Sequence, residues 1–334
     1  MTTQIWTRLD YDRPGKQIGN LHLPYSVHRS AYGTLTIPLG IVAGGKGPTV
    51  LLSAGTHGDE YEGQIALTKL LRRLQPDAVN GRVIILPMLN APAARAGLRT
   101  SPLDEGNLNR AYPGDPLGGP TAQIAHYVSQ VLFPMADVYH DLHAGGSSLD
   151  YSPFVSTRLS GKPALDDKAL AAARAFGAPH LLIWSHSPDP RLSTSESNRQ
   201  DIVSLGGEFG GGGTVSTRGV EIVEHGLQRL LAHLGVIEAD PALPPPPETV
   251  EIEVLSRDYY VYAEADGVFE PAVALGATVA AGDHCGDMHS IDDPARSAVP
   301  HHFHHDGIVI CQRHQGLVQR GDCLAHLATL RKRN

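Results

Sequence analysis

The sequence has no long apolar run and no basic cluster, and aromatic residues make up only 6% of it. None of its apolar runs approaches the roughly 18 residues that a membrane-spanning helix needs. The N-terminal stretch MTTQIWTRLDYDRPGKQ lacks the basic-then-apolar order of a signal peptide. We therefore expect a cytoplasmic protein with no membrane partner.

Positive charge and cysteine are also scarce. Lys and Arg number 27 against 35 Asp and Glu, which gives a formal net charge of -8. Without a basic patch, a nucleic-acid partner is not expected. The three cysteines, Cys285, Cys311 and Cys323, form no C-x-x-C pair. We predict that they are free thiols.

Apolar runs and helical periodicity alternate between residues 49 and 234. Buried strands are predicted at 49–53, 83–88, 137–142, 180–184 and 202–205. Helices are predicted at 60–74, 121–132 with Thr121 as N-cap, 168–176 and 219–234. This alternation predicts an α/β fold with a mainly parallel sheet and helices on both faces. Ligands of such sheets bind beyond the carboxyl ends of the strands.

A proline-rich stretch, ADPALPPPP, begins at residue 239 and favours a stiff spacer. We predict a catalytic domain at 1–240, a linker at 241–248 and a small barrel-like β domain at 249–334. The C-terminal segments resemble the two halves of lipoyl- or biotin-carrier barrels. A carrier needs a modifiable lysine, and the region 249–331 contains none, so that function is excluded.

Three potential metal ligands follow predicted strands. His57 comes directly after the first strand, Glu60 starts the next helix, and His143 follows the strand at 137–142. Two histidines and one carboxylate leave a coordination position open, as in catalytic zinc sites. Asp141 is a candidate partner that orients a ligand histidine. The spacing therefore predicts one zinc ion per chain.

Four motifs resemble a known family: GTHGDEYEG, LNAPAARAGLR, NLNRAYPG and DLHAGG, in this order. The chain is similar from about residue 50 onward to the succinylglutamate desuccinylase/aspartoacylase family of zinc deacylases, which are related to zinc carboxypeptidases. Among its subgroups, the chain is most similar to the deacetylases of N-α-acetyl-L-2,4-diaminobutyrate in ectoine degradation. The resemblance implies zinc-dependent hydrolysis of a small N-acyl amino acid.

The resemblance also implies individual roles. His57, Glu60 and His143 match the zinc ligands, and Arg99, nine residues after Asn90, matches the arginine that polarises the substrate carbonyl. Asn109 and Arg110 match the pair that binds the substrate carboxylate. Asn107 replaces the usual Asp of that motif, and the segment 100–106 is longer than in aspartoacylase. These departures affect the shape of the acyl or side-chain pocket.

The catalytic base is predicted to be Glu208, which precedes the glycine run at 210–213. Glu221 and Glu224 are alternatives, but they lie within the last predicted helix of this region. A histidine cluster at His301, His302, His304 and His305 is predicted to be a solvated loop; a second metal site, or a loop over the active site, are the other interpretations.

The best single substrate hypothesis is N-α-acetyl-L-2,4-diaminobutyrate. Acetylaspartate or succinylglutamate would require cations beyond Arg99 and Arg110, and nothing in the spacing of Arg158, Arg191 or Arg199 directs them to the metal. Another N-acyl amino acid, a carboxypeptidase activity and a non-catalytic metal-binding protein remain alternatives. The sequence leaves the oligomeric state open, homo-oligomers included.

Overall fold

The computed structural model describes residues 3–184 and 189–332. The strands are β1 (Trp6–Thr7), β2 (Gly15–Pro24), β3 (Thr34–Gly44), β4 (Thr49–Ala54), β5 (Gly81–Leu86), β6 (Val138–Leu142), β7 (Leu149–Tyr151), β8 (Phe154–Arg158), β9 (His180–Trp184), β10 (Val203–Glu208), β11 (Val250–Val254), β12 (Tyr260–Tyr262), β13 (Gly267–Pro271), β14 (Thr278–Val279), β15 (His284–His289), β16 (Val299–His302), β17 (Gly307–Arg313), β18 (Leu317–Val318) and β19 (Cys323–Leu330). The α-helices are α1 (Tyr61–Arg73), α2 (Ala91–Ala96), α3 (Pro120–Tyr127), α4 (Pro163–Phe176), α5 (Ser193–Arg199) and α6 (Thr217–His233). None of the helices in these ranges has both the length and the apolar character to cross a membrane.

A large mixed sheet organises the chain, in the order β1-β2-β3-β5-β4-β6-β10-β8-β9-β11-β19-β17-β14. Its centre is parallel, because β4 pairs with β5 and β6, and β6 pairs with β10, in the same direction. The pairs β2–β3, β3–β5 and β10–β8 are antiparallel. The α/β prediction is confirmed, and the sheet is less parallel than predicted.

Helices cover both faces of the parallel centre. On β4, Val50 and Leu52 pack into a core with Leu67 of α1, whereas Leu51 packs on the opposite face in a core with Ile124 of α3. Successive strand residues point to opposite faces, so a strand covered on both sides is apolar at nearly every position. This explains why β4 was visible in the sequence as a continuous apolar run.

The start of α3 differs from the prediction. Thr121 is not the N-cap: the helix begins at Pro120, after Gly119. Asp104 accepts hydrogen bonds from Thr121 N and Thr121 Oγ1, both at 2.8 Å. A carboxylate distant in sequence thus replaces the predicted local cap. Helix α4 also begins earlier than predicted, at Pro163, because proline fits the first helical turn.

The sheet continues beyond the proline-rich stretch. Strand β11 pairs in parallel with β9 and antiparallel with β19. Four other C-terminal strands form a second sheet in the order β16-β15-β13-β18. All three cysteines are free, as predicted. The predicted solvated loop is wrong for His301 and His302, which lie on β16. His301 is buried, and its Nε2 accepts a hydrogen bond from Glu264 N at 3.3 Å.

Candidate active site

The first two potential metal ligands lie in the turn between β4 and α1. Gly55 has φ +65°, a left-handed conformation that redirects the chain directly after the strand. His57 and Glu60 follow, both buried, and Glu60 immediately precedes α1. His57 Nδ1 lies 2.6 Å from Glu60 Oε1. The turn therefore folds the imidazole back onto the carboxylate.

His143 approaches the same carboxylate from the neighbouring strand. It follows β6, and because β4 and β6 are parallel, both histidines emerge at the same edge of the sheet. His143 Nδ1 lies 2.8 Å from Glu60 Oε2. One potential ligand atom from each of His57, Glu60 and His143 lies within 4.8 Å of the others. The predicted ligand set is thus brought together around Glu60.

The outer nitrogens of both rings face oxygen atoms. His57 Nε2 lies 3.1 Å from Asn107 Oδ1, and His143 Nε2 lies 3.0 Å from Asp141 Oδ2. Each of these oxygens can accept a hydrogen bond from the tautomer that carries its proton on Nε2. Each Nδ1 is then the atom with a free lone pair on the side of Glu60. That tautomer is the one a metal ligand requires.

Asp141 is held in place by three hydroxyl groups. Its Oδ1 accepts from Ser53 Oγ at 2.7 Å and Thr56 Oγ1 at 2.9 Å, and its Oδ2 accepts from Ser193 Oγ at 2.8 Å. Burial alone would raise its pKa, but His143 and the hydroxyls of Ser53 and Ser193 lower the pKa to about 2. Asp141 is therefore a fixed anion behind His143.

The electrostatics of the group suit a divalent cation. Burial lowers the pKa of His57, which keeps that ring neutral, as a ligand must be. Burial also acts to lower the pKa of His143, but Asp141 and Glu60 outweigh it and raise that pKa well above its usual value. The position between His143 and Glu60 therefore favours a positive charge. The three donors are those of catalytic zinc sites.

Arg99 approaches Glu60 and His57 from the solvent side. The chain before it is anchored by a hydrogen bond from Gly58 N to Leu98 O, at 2.8 Å. Arg99 Nη1 lies 3.6 Å from Glu60 Oε1 and 3.4 Å from His57 Nδ1. Its side chain is 45% exposed, so it can meet a ligand that enters from solvent.

Asn109 and Arg110 lie on a short helical turn, Leu108–Arg110, anchored by the buried Leu108. Asn109 Oδ1 accepts from Ser193 N at 2.9 Å, and its Nδ2 lies 3.4 Å from His143 Nε2. Arg110 Nη1 donates to Asn109 O at 2.7 Å. Burial and the nearby charge of Arg99 lower the pKa of Arg110. The two arginines are thus close enough to repel each other, a condition that an anionic ligand relieves.

Glu208 ends β10, beside His143. His143 N donates to Gly207 O, and Phe209 N donates to His143 O, both at 3.0 Å. Glu208 Oε2 is buried and has no hydrogen-bond partner within the described residues. Burial and the charge of Glu60 raise the pKa of Glu208 well above its usual value. An unpartnered carboxylate with a raised pKa can exchange a proton.

The two alternatives to Glu208 lie elsewhere. Glu224, on α6, forms ion pairs with Lys69 and Arg73 of α1. Glu221 is exposed on the same helix. Nothing in these surroundings connects Glu221 or Glu224 to Glu60 or the two histidines. The geometry therefore favours Glu208 as the base.

Three residues in the site were not predicted to act there. Asn107 and Ser193 contact the groups above, and Asp189 Oδ2 lies 3.3 Å from Arg110 Nε. Asp189 also pairs with Arg191, Nη2 to Oδ2, at 2.8 Å. Asn107 stood inside a recognised motif and could have been found. Asp189 and Ser193 lie beyond the end of β9 in the sequence, and no spacing rule indicates their partners.

Comparison with known proteins identifies the family. The sequence profile of the succinylglutamate desuccinylase/aspartoacylase catalytic domain matches residues 46–234. The chain belongs to this family. The predicted membership is confirmed, and with it the assignment of the chain to the deacylase hydrolases.

Members of the family align with almost the whole chain. The N-α-acetyl-L-2,4-diaminobutyric acid deacetylase of Halomonas elongata is 40% identical over 324 residues, which are 97% of this chain and 94% of that protein. A succinylglutamate desuccinylase/aspartoacylase structure from Rhodobacter sphaeroides is 40% identical with a TM-score of 0.94, over 99% of this chain and 100% of that one. The product-bound ectoine utilization protein EutE (DoeB) of Ruegeria pomeroyi is 37% identical with a TM-score of 0.95, over 98% and 99%.

Proposed function

We propose that this family member is a zinc-dependent amidohydrolase that cleaves N-α-acetyl-L-2,4-diaminobutyrate to acetate and diaminobutyrate in ectoine degradation. The observation that carries the proposal is the convergence of His57, Glu60 and His143 beside Glu208. The substrate is that of the Halomonas elongata deacetylase, which aligns with 97% of the chain.

One zinc ion per chain would be held by His57, Glu60 and His143. When bound, zinc lowers the pKa of water towards 7 and polarises carbonyl oxygens. Asn107 and Asp141 would favour the tautomer that the ion needs, because each offers an acceptor oxygen to Nε2 of one imidazole.

Glu208 would move the proton. Its Oε2 has no partner in the described part of the chain, so it is available to accept a proton from the attacking water. Its raised pKa suits the second half of the task, in which the same carboxyl returns the proton to the departing amine. The main-chain hydrogen bonds of Gly207 and Phe209 to His143 hold the backbone of Glu208 beside this ligand.

Arg99 would donate to the amide carbonyl oxygen as it gains negative charge, since its Nη1 already lies within 3.6 Å of Glu60. Arg110 and Asn109 would bind the α-carboxylate. Asp189 and Asn109 O fix the plane of the Arg110 guanidinium, so a carboxylate meets an ordered partner.

The other arginines support a substrate with one carboxylate. Arg191 is engaged by both oxygens of Asp189, and Arg199 by Glu196. Arg158 is half-buried near Tyr260, and burial lowers its pKa to about 10. A second carboxylate, as in acetylaspartate or succinylglutamate, would have to compete with Asp189 for Arg191 or with Glu196 for Arg199.

We also propose the finer architecture and the location. Residues 1–240 would be a zinc-carboxypeptidase-like catalytic domain, 241–248 a linker, and 249–334 a barrel-like β domain, in a cytoplasmic enzyme. The support is the β-rich organisation after residue 250 and the proline run before it.

The test is to compare kcat/KM for acetyl-diaminobutyrate, acetylaspartate, succinylglutamate and short peptides on zinc-loaded protein. We expect acetyl-diaminobutyrate to be preferred by about tenfold or more, a difference of about 1.4 kcal/mol in transition-state binding. A tenfold preference for a dianionic substrate would overturn the proposed substrate but would leave the proposed deacylase function intact. Preferential peptide cleavage would indicate a carboxypeptidase, and zinc binding without hydrolysis would remove the enzymatic function.

A further inference from the structure

Ser193 contacts both the proposed metal-binding part and the proposed substrate-binding part of the site. It is the first residue of α5 and is fully buried. Its main-chain N–H donates to Asn109 Oδ1 at 2.9 Å, and its hydroxyl donates to Asp141 Oδ2 at 2.8 Å. One residue therefore joins the amide proposed to bind substrate to the carboxylate that orients His143.

The two oxygens of Asp141 are held in different ways. Oδ1 accepts from Ser53 and Thr56, which lie on β4 and in the turn that carries His57. Oδ2 is shared by His143 Nε2 and the hydroxyl of Ser193. The Ser193 hydroxyl thus occupies one acceptor direction of Oδ2 and leaves the other for the imidazole. Without it, the carboxylate is held firmly on one side only.

We propose that Ser193 is a positioning residue for the metal centre. Its hydroxyl fixes Asp141, so that His143 donates from Nε2 and presents Nδ1 to the ion. Its N–H independently fixes Asn109. The inference rests on the proposed function, because it assumes that His57, Glu60 and His143 bind zinc.

The two hydrogen bonds can be separated by mutation. Ser193→Ala removes the hydroxyl but keeps the main-chain N–H that orients Asn109. Loss of a partner that orients a metal ligand typically weakens metal binding by about 10- to 100-fold. We expect that loss in zinc affinity, whereas KM for the N-acyl substrate at saturating zinc changes by less than roughly threefold, because ground-state binding is retained.

Ser197→Ala is the matched control. Ser197 lies on the same helix and is also fully buried, but its hydroxyl contacts Thr194 O at 3.1 Å and Ser204 Oγ at 2.8 Å. Both variants lose one buried hydroxyl, so a general structural effect would appear in both. Zinc dissociation constants are measured by chelator competition on the full chain. We expect weaker zinc binding in Ser193→Ala alone.

Two results would overturn the inference: wild-type zinc affinity in Ser193→Ala, or equal weakening in Ser197→Ala. If Ser193→Ala does not fold, Ser193→Cys replaces it, because a thiol fills the space but is a weak donor; the same direction of change is expected. A wild-type chain that binds zinc and hydrolyses substrate, with no effect of Ser193, refutes only this inference. A wild-type chain that binds no zinc refutes the proposed function as well.

Discussion

His143 and Glu208 pair through their main chains, as neighbours in a short parallel bridge where β6 and β10 end. Paired residues of adjacent strands direct their side chains to the same face. The main chains that carry the proposed base and a proposed metal ligand are therefore held side by side by the sheet itself.

Glu208→Gln should retain zinc and the fold, and lose about 10²-fold or more in kcat, as removal of a general base does. The amide has nearly the shape of the carboxylate but accepts no proton. Steady-state kinetics with zinc content measured on the same sample tests this. Glu221→Gln, on the exposed side of α6, is the control and should behave as wild type. A dead Glu221→Gln with an active Glu208→Gln would reverse the assignment.

Replacement of either histidine should abolish metal binding and turnover together. His57→Ala and His143→Ala each remove one of three buried donors, and the remaining pair cannot complete the site. Chelator treatment of the wild-type chain should have the same effect, and added zinc should reverse it. His233→Ala, in the last turn of α6 and exposed, should leave zinc content unchanged. Full activity in a metal-free histidine variant would refute the metal centre.

Arg99→Ala should mainly lower kcat, by roughly 10²- to 10³-fold, if the guanidinium stabilises charge that develops on the carbonyl oxygen. The control is Arg95→Ala, whose side chain instead donates to Thr36 O at 2.7 Å. Initial rates over a range of substrate concentrations separate kcat from KM. A change confined to KM would assign Arg99 to substrate binding.

Arg110→Ala should mainly raise KM, because the α-carboxylate is bound equally before and during the reaction. Asp189→Asn should raise KM less, since it loosens Arg110 without removing the guanidinium. The ratio of the two KM values measures how much of the binding depends on a fixed guanidinium plane. A fall in kcat with constant KM in Arg110→Ala would contradict its role.

Glu62→Gln should stabilise the fold at high pH. Glu62 Oε1 accepts from Ser216 N at 2.8 Å, and burial raises the pKa of Glu62. An acid with a raised folded-state pKa loses stability as pH rises through that value, and the penalty disappears below the unfolded-state pKa. The stability advantage of Glu62→Gln, from denaturant unfolding of zinc-loaded protein, should therefore be larger at pH 8 than at pH 5. An advantage independent of pH would show that Glu62 is not the titrating group.

The positions of His57 and His143 could be predicted because each follows a predicted strand, and both strands are buried at every position. Two parallel strands that are neighbours in the sheet end at the same edge, so the residues after them meet. Glu60 followed from its distance to His57. For these residues, a local sequence pattern predicts a long-range contact, because neighbouring parallel strands end at the same edge of a sheet.

The contacts of Ser193 and Asp189 could not be predicted, because their partners, Asp141, Asn109 and Arg110, are distant in sequence. The antiparallel pair β2–β3 was also missed. Its second strand contains Pro38, which interrupts the alternating pattern. Pro38 pairs with Asn20 of β2, outside the stretch Gly40–Gly44 that pairs with β5. A proline is tolerated there because no second neighbour needs its missing N–H.

The pairing of β11 with β9 affects how the protein can be divided. Removal of the chain after residue 248 would uncover the whole edge of β9, five residues whose register with β11 runs from His180↔Val250 to Trp184↔Val254. An uncovered apolar edge strand recruits other chains. A catalytic fragment that ends at the proline-rich stretch would therefore tend to self-associate. For the same reason, fusion partners or tags are better placed at the chain ends than at that stretch.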